Sequence, residues 1–284
     1  MIRIIDGVVF EGKSVDSVRM KVHDLGNGHM EITGVREVHW QEQDWSPYAI
    51  QCYREAVQRC RDENPNYDEE RRAKMLSMAA ARARKRVRRI CKVMGVDTLL
   101  TLTYRANIVD LGRCKRNLKE FVRRLRRVLP DFRAVACFEK QKRGAWHVHL
   151  ATIRFPATLA AVNGVKVKSF NVIRAIWRSV TGEDGGNVDI SNTKRGAQRS
   201  AAKIAAYIAK YISKAFAEGD AGSNRWTRFG DCDLPKPIDM GTFPNMLAVV
   251  EAAYAIIDTD VTIEDQHVSR WRDWFYIVVE KPQP

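Results

Sequence analysis

The sequence predicts an α+β protein built on a split βαβ arrangement, an antiparallel sheet with helices on one face. Three observations predict it. Between residues 97 and 216 the apolar pattern alternates between period two and a helical period, in the order strand, helix, strand, strand, helix, strand, helix. The two central strands flank a short basic turn at Lys140, Lys142, Arg143 and Gly144, which makes them a hairpin. Further strand-like and helix-like segments precede and follow this stretch, as N-terminal and C-terminal additions.

The elements follow in order. Ile2, Ile4, Val8 and Phe10 flank Asp6-Gly7, a hairpin signal, and Gly26-Asn27-Gly28 marks a second turn. His23, His29 and His39 have no ligand-like spacing and read as surface or packing residues. Ser46-Pro47 opens a helix that Asn64-Pro65 ends. Tyr67 to Met94 has no Gly or Pro; Met75, Met78, Ala79, Ala83, Val87, Ile90 and Met94 recur as one helical face. Its start is acidic, and its end carries Arg82, Arg84, Lys85, Arg86, Arg88, Arg89 and Lys92, more cations than the helix dipole can use. They read as a DNA-backbone clamp or as a solvated basic face.

Asp97 to Tyr104 alternates as a strand, with Leu100 and Leu102 on one face and Thr101 and Thr103 on the other. Gly112 to Leu129 is a helix with Leu118, Phe121, Val122, Leu125 and Leu129 inward, stopped by Pro130. Residues 132–139 and 145–155 form the central hairpin, 169–180 a helix, 187–190 a short strand and 197–216 a last helix. Residues 219–223 look like a linker. Arg225-Trp226-Thr227-Arg228-Phe229-Gly230 mixes cations and aromatics, suited either to stacking on single-stranded bases or to capping the core. Residues 244–257 read as a helix and 271–279 as a strand, and whether this end is a lid, a DNA-binding piece or extra packing stays open. Composition sets the domains at 1–94, 95–218 and 219–284.

With 48 Lys and Arg against 34 Asp and Glu, the chain carries a formal charge of +14. That favours a polyanionic partner, and without an apolar anchor or lipidation motif it favours nucleic acid over a membrane. The apolar runs fall far short of the ~20 residues of a membrane span. The first residues make a poor signal peptide, and the six scattered cysteines include no C-x-x-C pair, which fits reduced thiols in a cytoplasm. No G-x-x-x-x-G-K-[ST] loop is present, so neither a helicase domain nor a nucleotide cofactor is expected.

The chemistry concentrates in two motifs. In Glu139 to Leu150, EKQKRGAWHVHL, His147 and His149 share a strand face. A hairpin can bring Glu139 opposite them, a plausible divalent-metal site, with Gln141 as the local competitor for the carboxylate's place. About sixty residues on, Tyr207, Lys210, Tyr211 and Lys214 recur at i, i+3, i+4 and i+7 and form one helical stripe. Alone, that stripe is equally an amphipathic surface with half-buried phenols and snorkelling lysines.

Together, these motifs and Leu99-Leu-Thr-Leu-Thr-Tyr104 resemble the HUH endonucleases. The Tyr-x-x-Lys-Tyr form is most similar to the rolling-circle replication initiators of single-stranded DNA bacteriophages, and the resemblance covers roughly 96 to 216. It implies a ferredoxin- or RRM-like HUH palm with the threonine-bearing strand beside a metal site. It also implies Tyr207 and Tyr211 as a nucleophile pair, with Lys210 steadying phosphate or phenolate. Glu139, His147 and His149 would hold a divalent cation, Mg2+ or, given two imidazoles, Mn2+. The expected reaction is nicking and religation of single-stranded origin DNA through a 5′-phosphotyrosine that leaves a free 3′-hydroxyl. A host helicase and polymerase would be partners. A relaxase or single-strand transposase of related chemistry, and a non-catalytic nucleic-acid-binding protein on the same fold, are the alternatives.

Overall fold

The computed structural model describes residues 1–160, 164–191, 201–217 and 225–281, without the side chains of residues 201, 202 and 212–217. The elements are β1 (Ile2–Ile5), β2 (Val8–Asp24), β3 (His29–Gln43), α1 (Pro47–Asp62), α2 (Tyr67–Met94), β4 (Thr98–Tyr104), α3 (Leu111–Leu125), β5 (Ala134–Lys140), β6 (Trp146–Thr152), β7 (Thr158–Ala160), β8 (Lys166–Lys168), α4 (Ser169–Thr181), β9 (Gly186–Ser191), α5 (Ala201–Ala217), β10 (Trp226–Phe229), β11 (Ile238–Phe243), α6 (Met246–Ile256), β12 (Thr262–Val268) and β13 (Trp274–Glu280). The protein is α+β with mostly antiparallel sheets. Contacts divide it into two units, one of residues Met1–Lys74 with Pro235–Pro284, the other of Met75–Leu234.

In the first unit the two additions that the sequence sets apart supply strands to one sheet. Its order is β1-β2-β3-β13-β12, with β11 on β2. Asp6 at φ 48° and Gly7 at φ 86° make the left-handed turn between β1 and β2, as the Asp-Gly pair predicts. α6 covers one face through Met246, Val249 and Ala253, packed on Val18, Met20, Ile32, Phe275 and Ile277. Gly34 permits this approach, since a Cβ there would lie 2.8 Å from Val249 Cγ1. β12 has no counterpart in the sequence reading. Of its seven residues six are exposed, so it lacks the half-buried alternation that signals a strand.

In the second unit the sheet order is β10-β5-β6-β4-β9, every neighbour antiparallel. α3 and α4 cover one face, with Leu118, Phe121, Ile173 and Trp177 against Leu100, Leu102, Phe138 and Val148. Trp177 anchors this layer. It is fully buried, donates its indole N–H to the Thr103 carbonyl at 2.9 Å, and packs against Tyr104 and Phe121 at ring distances of 5.1 and 5.6 Å. The other face is also covered. Ile204, Ala205 and Ile208 of α5 and Val87, Ile90 and Met94 of α2 pack on Leu99, Val135, Cys137 and Ala151. Helices therefore lie on both faces rather than one, because β4, β5 and β6 are apolar on both sides over much of their length.

Two helices differ from their predicted form. α3 ends at Leu125 rather than 129; the Arg126 guanidinium there donates to the Phe132 carbonyl and fixes a tight turn. In α2 the predicted stripe is buried only from Ala80 on, while Met75 and Met78 are 55% and 47% exposed. Lys92, placed with the basic face, is buried. The predicted linker at 219–223 and the helix start at 197–200 lie outside the described residues.

Charge separates the units. Residues 75–234 hold 33 Lys and Arg against 12 Asp and Glu, whereas the other unit holds 15 against 22. The polyanion preference read from the whole chain therefore belongs to the second unit.

Trp177→Ala is expected to destabilise the second unit by roughly 3–5 kcal/mol, the usual cost of emptying a large aromatic site. Urea unfolding monitored by circular dichroism measures it. A loss under 1 kcal/mol would show that α4 does not depend on this anchor.

Candidate active site

His149 stands in the middle of the second sheet, opposite Cys137 on β5 and Thr101 on β4. Glu139 pairs directly across from His147, so Glu139, His147 and His149 share the face that α5 covers. The Gly144 turn, at φ 88°, sets this register through Gln141 N–H to Ala145 carbonyl and Gly144 N–H to Gln141 carbonyl hydrogen bonds, both 2.8 Å.

The imidazole of His149 is held on every side. Nε2 lies 2.9 Å from Glu139 Oε2, and Nδ1 lies 3.1 Å from the Thr101 hydroxyl. The Tyr211 ring stacks on it at 4.2 Å and 15°, and the Tyr207 ring meets it edge-on at 6.3 Å. Tyr211 donates its hydroxyl hydrogen to the Tyr207 oxygen at 2.5 Å. α5 delivers both phenols because Ile204, Ala205 and Ile208 bury its other face, which turns positions 207 and 211, one turn apart, toward the histidine.

His147 is held differently. Its Nδ1 accepts from the Gln141 amide at 3.1 Å, and Gln141 in turn accepts from Arg143 Nε. Its Nε2 is buried with no hydrogen-bond partner. Burial, then repulsion from His149, hold its pKa below the ordinary histidine value against the pull of Glu139. A neutral imidazole with an orphaned nitrogen beside a carboxylate–histidine pair fits the donor set of a divalent-cation site. Gln141 orients His147, whereas Glu139 contacts His149. Lys210 is exposed on α5 between the tyrosines, and the side chain of Lys214 lies outside the described residues.

Thr101 is the residue that sequence reasoning passed over. Alternation put it on the open strand face, but only the β4–β6 register brings its hydroxyl to His149. A second cluster lies in the other unit: His29, Glu264 and Glu280 place three ligand-type atoms within 4.8 Å of one another, the one such group among the described residues. His29 is buried opposite Glu280, at 3.8 Å, consistent with a packing role.

The phenols are unequal. Burial raises the Tyr211 pKa well above that of a free phenol, and its hydrogen bond to Tyr207 and the charges of Tyr207 and Glu139 raise it further. Tyr211 therefore stays protonated where an ordinary tyrosine has ionised. Tyr207→Phe removes two of those causes and leaves burial. NMR titration of ring-labelled tyrosine is expected to show the Tyr211 pKa lowered in that variant yet still above about 10. A value unchanged by the substitution would mean that the hydrogen bond does not form.

Among the described residues no helix is long and apolar enough to cross a membrane. No curated protein and no solved structure gives a match to the chain. Residues 97–216, which hold the sheet, the His149 cluster and both tyrosines, match the family model for replication-associated proteins of the ORF2 type, and this segment is thereby identified with replication-associated proteins.

Proposed function

We propose that the chain initiates rolling-circle replication by nicking and rejoining single-stranded DNA at an origin, as a two-tyrosine HUH endonuclease in a host cytoplasm. One observation carries this reading: two phenols from a helix and a histidine–carboxylate pair from the sheet converge, with the Tyr211 ring on His149 and the Tyr207 oxygen 2.5 Å from the Tyr211 oxygen. The strand order around His149, with the β5–β6 hairpin beside β4 and β9, is that of a split βαβ palm and supports the same reading. So does the excess of cations in this unit.

A divalent cation, Mg2+ or Mn2+, bound by Glu139, His147 and His149 would supply Lewis-acid polarisation of the scissile phosphate. The protein's own groups do the rest. Tyr207 is 39% exposed and accepts the Tyr211 hydrogen bond, which stabilises negative charge on its oxygen. Its oxygen forms the bond to phosphorus as the bond to the 3′-oxygen breaks. The phenolic proton goes to solvent, and the departing 3′-oxygen takes one up. The products are a 5′-phosphotyrosine, which retains bond energy for religation, and a 3′-hydroxyl that a host polymerase can extend once a host helicase opens the duplex. Lys210, exposed beside both phenols, is placed to neutralise a phosphate oxygen. Tyr211, stacked on His149 and held protonated, serves in the second cleavage.

The test uses 3′-end-labelled single strands tiling the source replicon, with Mn2+, on a denaturing gel. Tyr207→Phe is expected to lower the first nick by at least about 10³-fold. Tyr211→Phe should leave that nick detectable and abolish transfer of the strand to a second site. Equal loss in both variants would overturn the order. No protein-linked label from any strand, with binding retained, would leave a non-catalytic DNA-binding protein.

A further inference from the structure

Phe138 and Glu139 are successive residues of β5, so their side chains point to opposite faces. Glu139 enters the tyrosine site. Phe138 walls a cavity of about 210 Å³ on the α3 face, closed by Lys115, Leu118 and Lys119 of α3 and Trp226, Thr227 and Phe229 of β10. β10 covers β5 only to Trp226, opposite Cys137; the Arg225 carbonyl accepts the Phe138 N–H, and β5 runs on past that end. The cavity and the tyrosine site thus lie on either side of one strand.

Cations gather at the cavity against their mutual repulsion. The Lys115 ammonium sits 5.9 Å from the Phe138 ring centre. Burial lowers its pKa, and repulsion from Arg225 and Lys119 adds to this. The Arg225 guanidinium lies over Trp146 at 5.0 Å. No carboxylate lines the cavity, and no ion pair among the described residues joins Lys115 or Lys119 to one. Glu120, the acid next along α3, is engaged by Arg123 and Arg124 at 2.7 and 2.6 Å.

We propose that this cavity binds one nucleotide of the single-stranded DNA on which the tyrosine site acts. The base enters against Phe138 and Phe229, the Thr227 hydroxyl meets its polar edge, and Lys115 and Lys119 take the adjoining phosphate. The volume suits one base and not a larger cofactor. Aromatic walls with lysines at the mouth match the stacking-plus-phosphate chemistry of single-strand binding. A strand rounding the uncovered end of β5 would join this nucleotide to those at His149. The inference rests on the single-strand reading of the site, but its test does not require cleavage.

The test uses full-length protein with Tyr207→Phe and Tyr211→Phe, and fluorescein-labelled 20-mers of dT, dC and dA, by anisotropy over a range of salt. Thr227→Trp, which fills the cavity and removes no charge, should weaken the best-bound homopolymer about tenfold with an unchanged salt slope. Phe229→Leu, a milder change, should weaken the same homopolymer in the same direction. Lys115→Gln with Lys119→Gln should weaken all three and reduce the slope of log affinity against log salt by about 1.4. Unchanged affinity in both Thr227→Trp and Phe229→Leu, with melting intact, overturns the base pocket. An unchanged slope in the lysine pair overturns the phosphate contact. Orthophosphate competing as well as dTMP would reduce the cavity to an anion site and overturn the proposal. Failure of the wild-type chain to nick would count against the nuclease and not against these outcomes.

Discussion

His149 is where the second unit's parts have to agree. Its two ring nitrogens meet Thr101 of β4 and Glu139 of β5, and its face meets Tyr211 of α5. These contacts depend on the registers of three strands and the seating of one helix. A slip of one residue between β5 and β6 would turn His147 and His149 to the α3 face and bring Val148 under the tyrosines. The Gly144 turn prevents that slip locally, and the apolar faces prevent it globally. Val148 and Leu150 have a core only on one side, against Phe121 and Trp177. The site's geometry is thus enforced by packing that never touches it.

Electrostatics act at longer range and separate the two units. The excess of 33 cations over 12 acids sits in the unit that carries the tyrosines, while the other unit is acidic. A DNA backbone is drawn to the former and repelled by the latter. Exposed charges lose hold beyond about 10 Å at ordinary salt, so the attraction is local to the sheet and its helices. The sequence total of +14 understates this, because it adds two charges of opposite sign.

What the sequence disclosed, and what it did not, follows from the range of the forces involved. Turns were legible at Asp6-Gly7 and Gly144, because a left-handed backbone selects residue type locally. The order of strands and helices from 98 to 217 was legible, because burial leaves a period. Pairing across long separations leaves none. Nothing near Trp274 to Glu280 says that this strand joins residues 29–35. Periodicity alone also misled, since Met75 and Met78 keep the helical spacing of Val87 and Ile90 without a surface to cover them. In the site, spacing identified the histidines and tyrosines as groups. Their separate surroundings, Gln141 for one histidine and Thr101 with Glu139 for the other, came only from register.

The two tyrosines make that last point sharpest. One turn apart on a helix, they are equivalent in sequence, since both lie on one stripe with one lysine between them. In the fold they are not. Tyr211 has its ring against an imidazole and its hydroxyl committed as a donor, while Tyr207 accepts that hydrogen and faces solvent. On the proposed reaction this inequality is useful, because two free phenols at one phosphorus would compete. A donor held protonated lowers the cost of charge on its neighbour and cannot itself attack until that hydrogen bond is released. Once Tyr207 is esterified, its oxygen carries no negative charge, and the Coulombic part of the restraint on Tyr211 is gone. The order of attack then needs no movement of the helix, only the loss of one hydrogen-bond acceptor's charge.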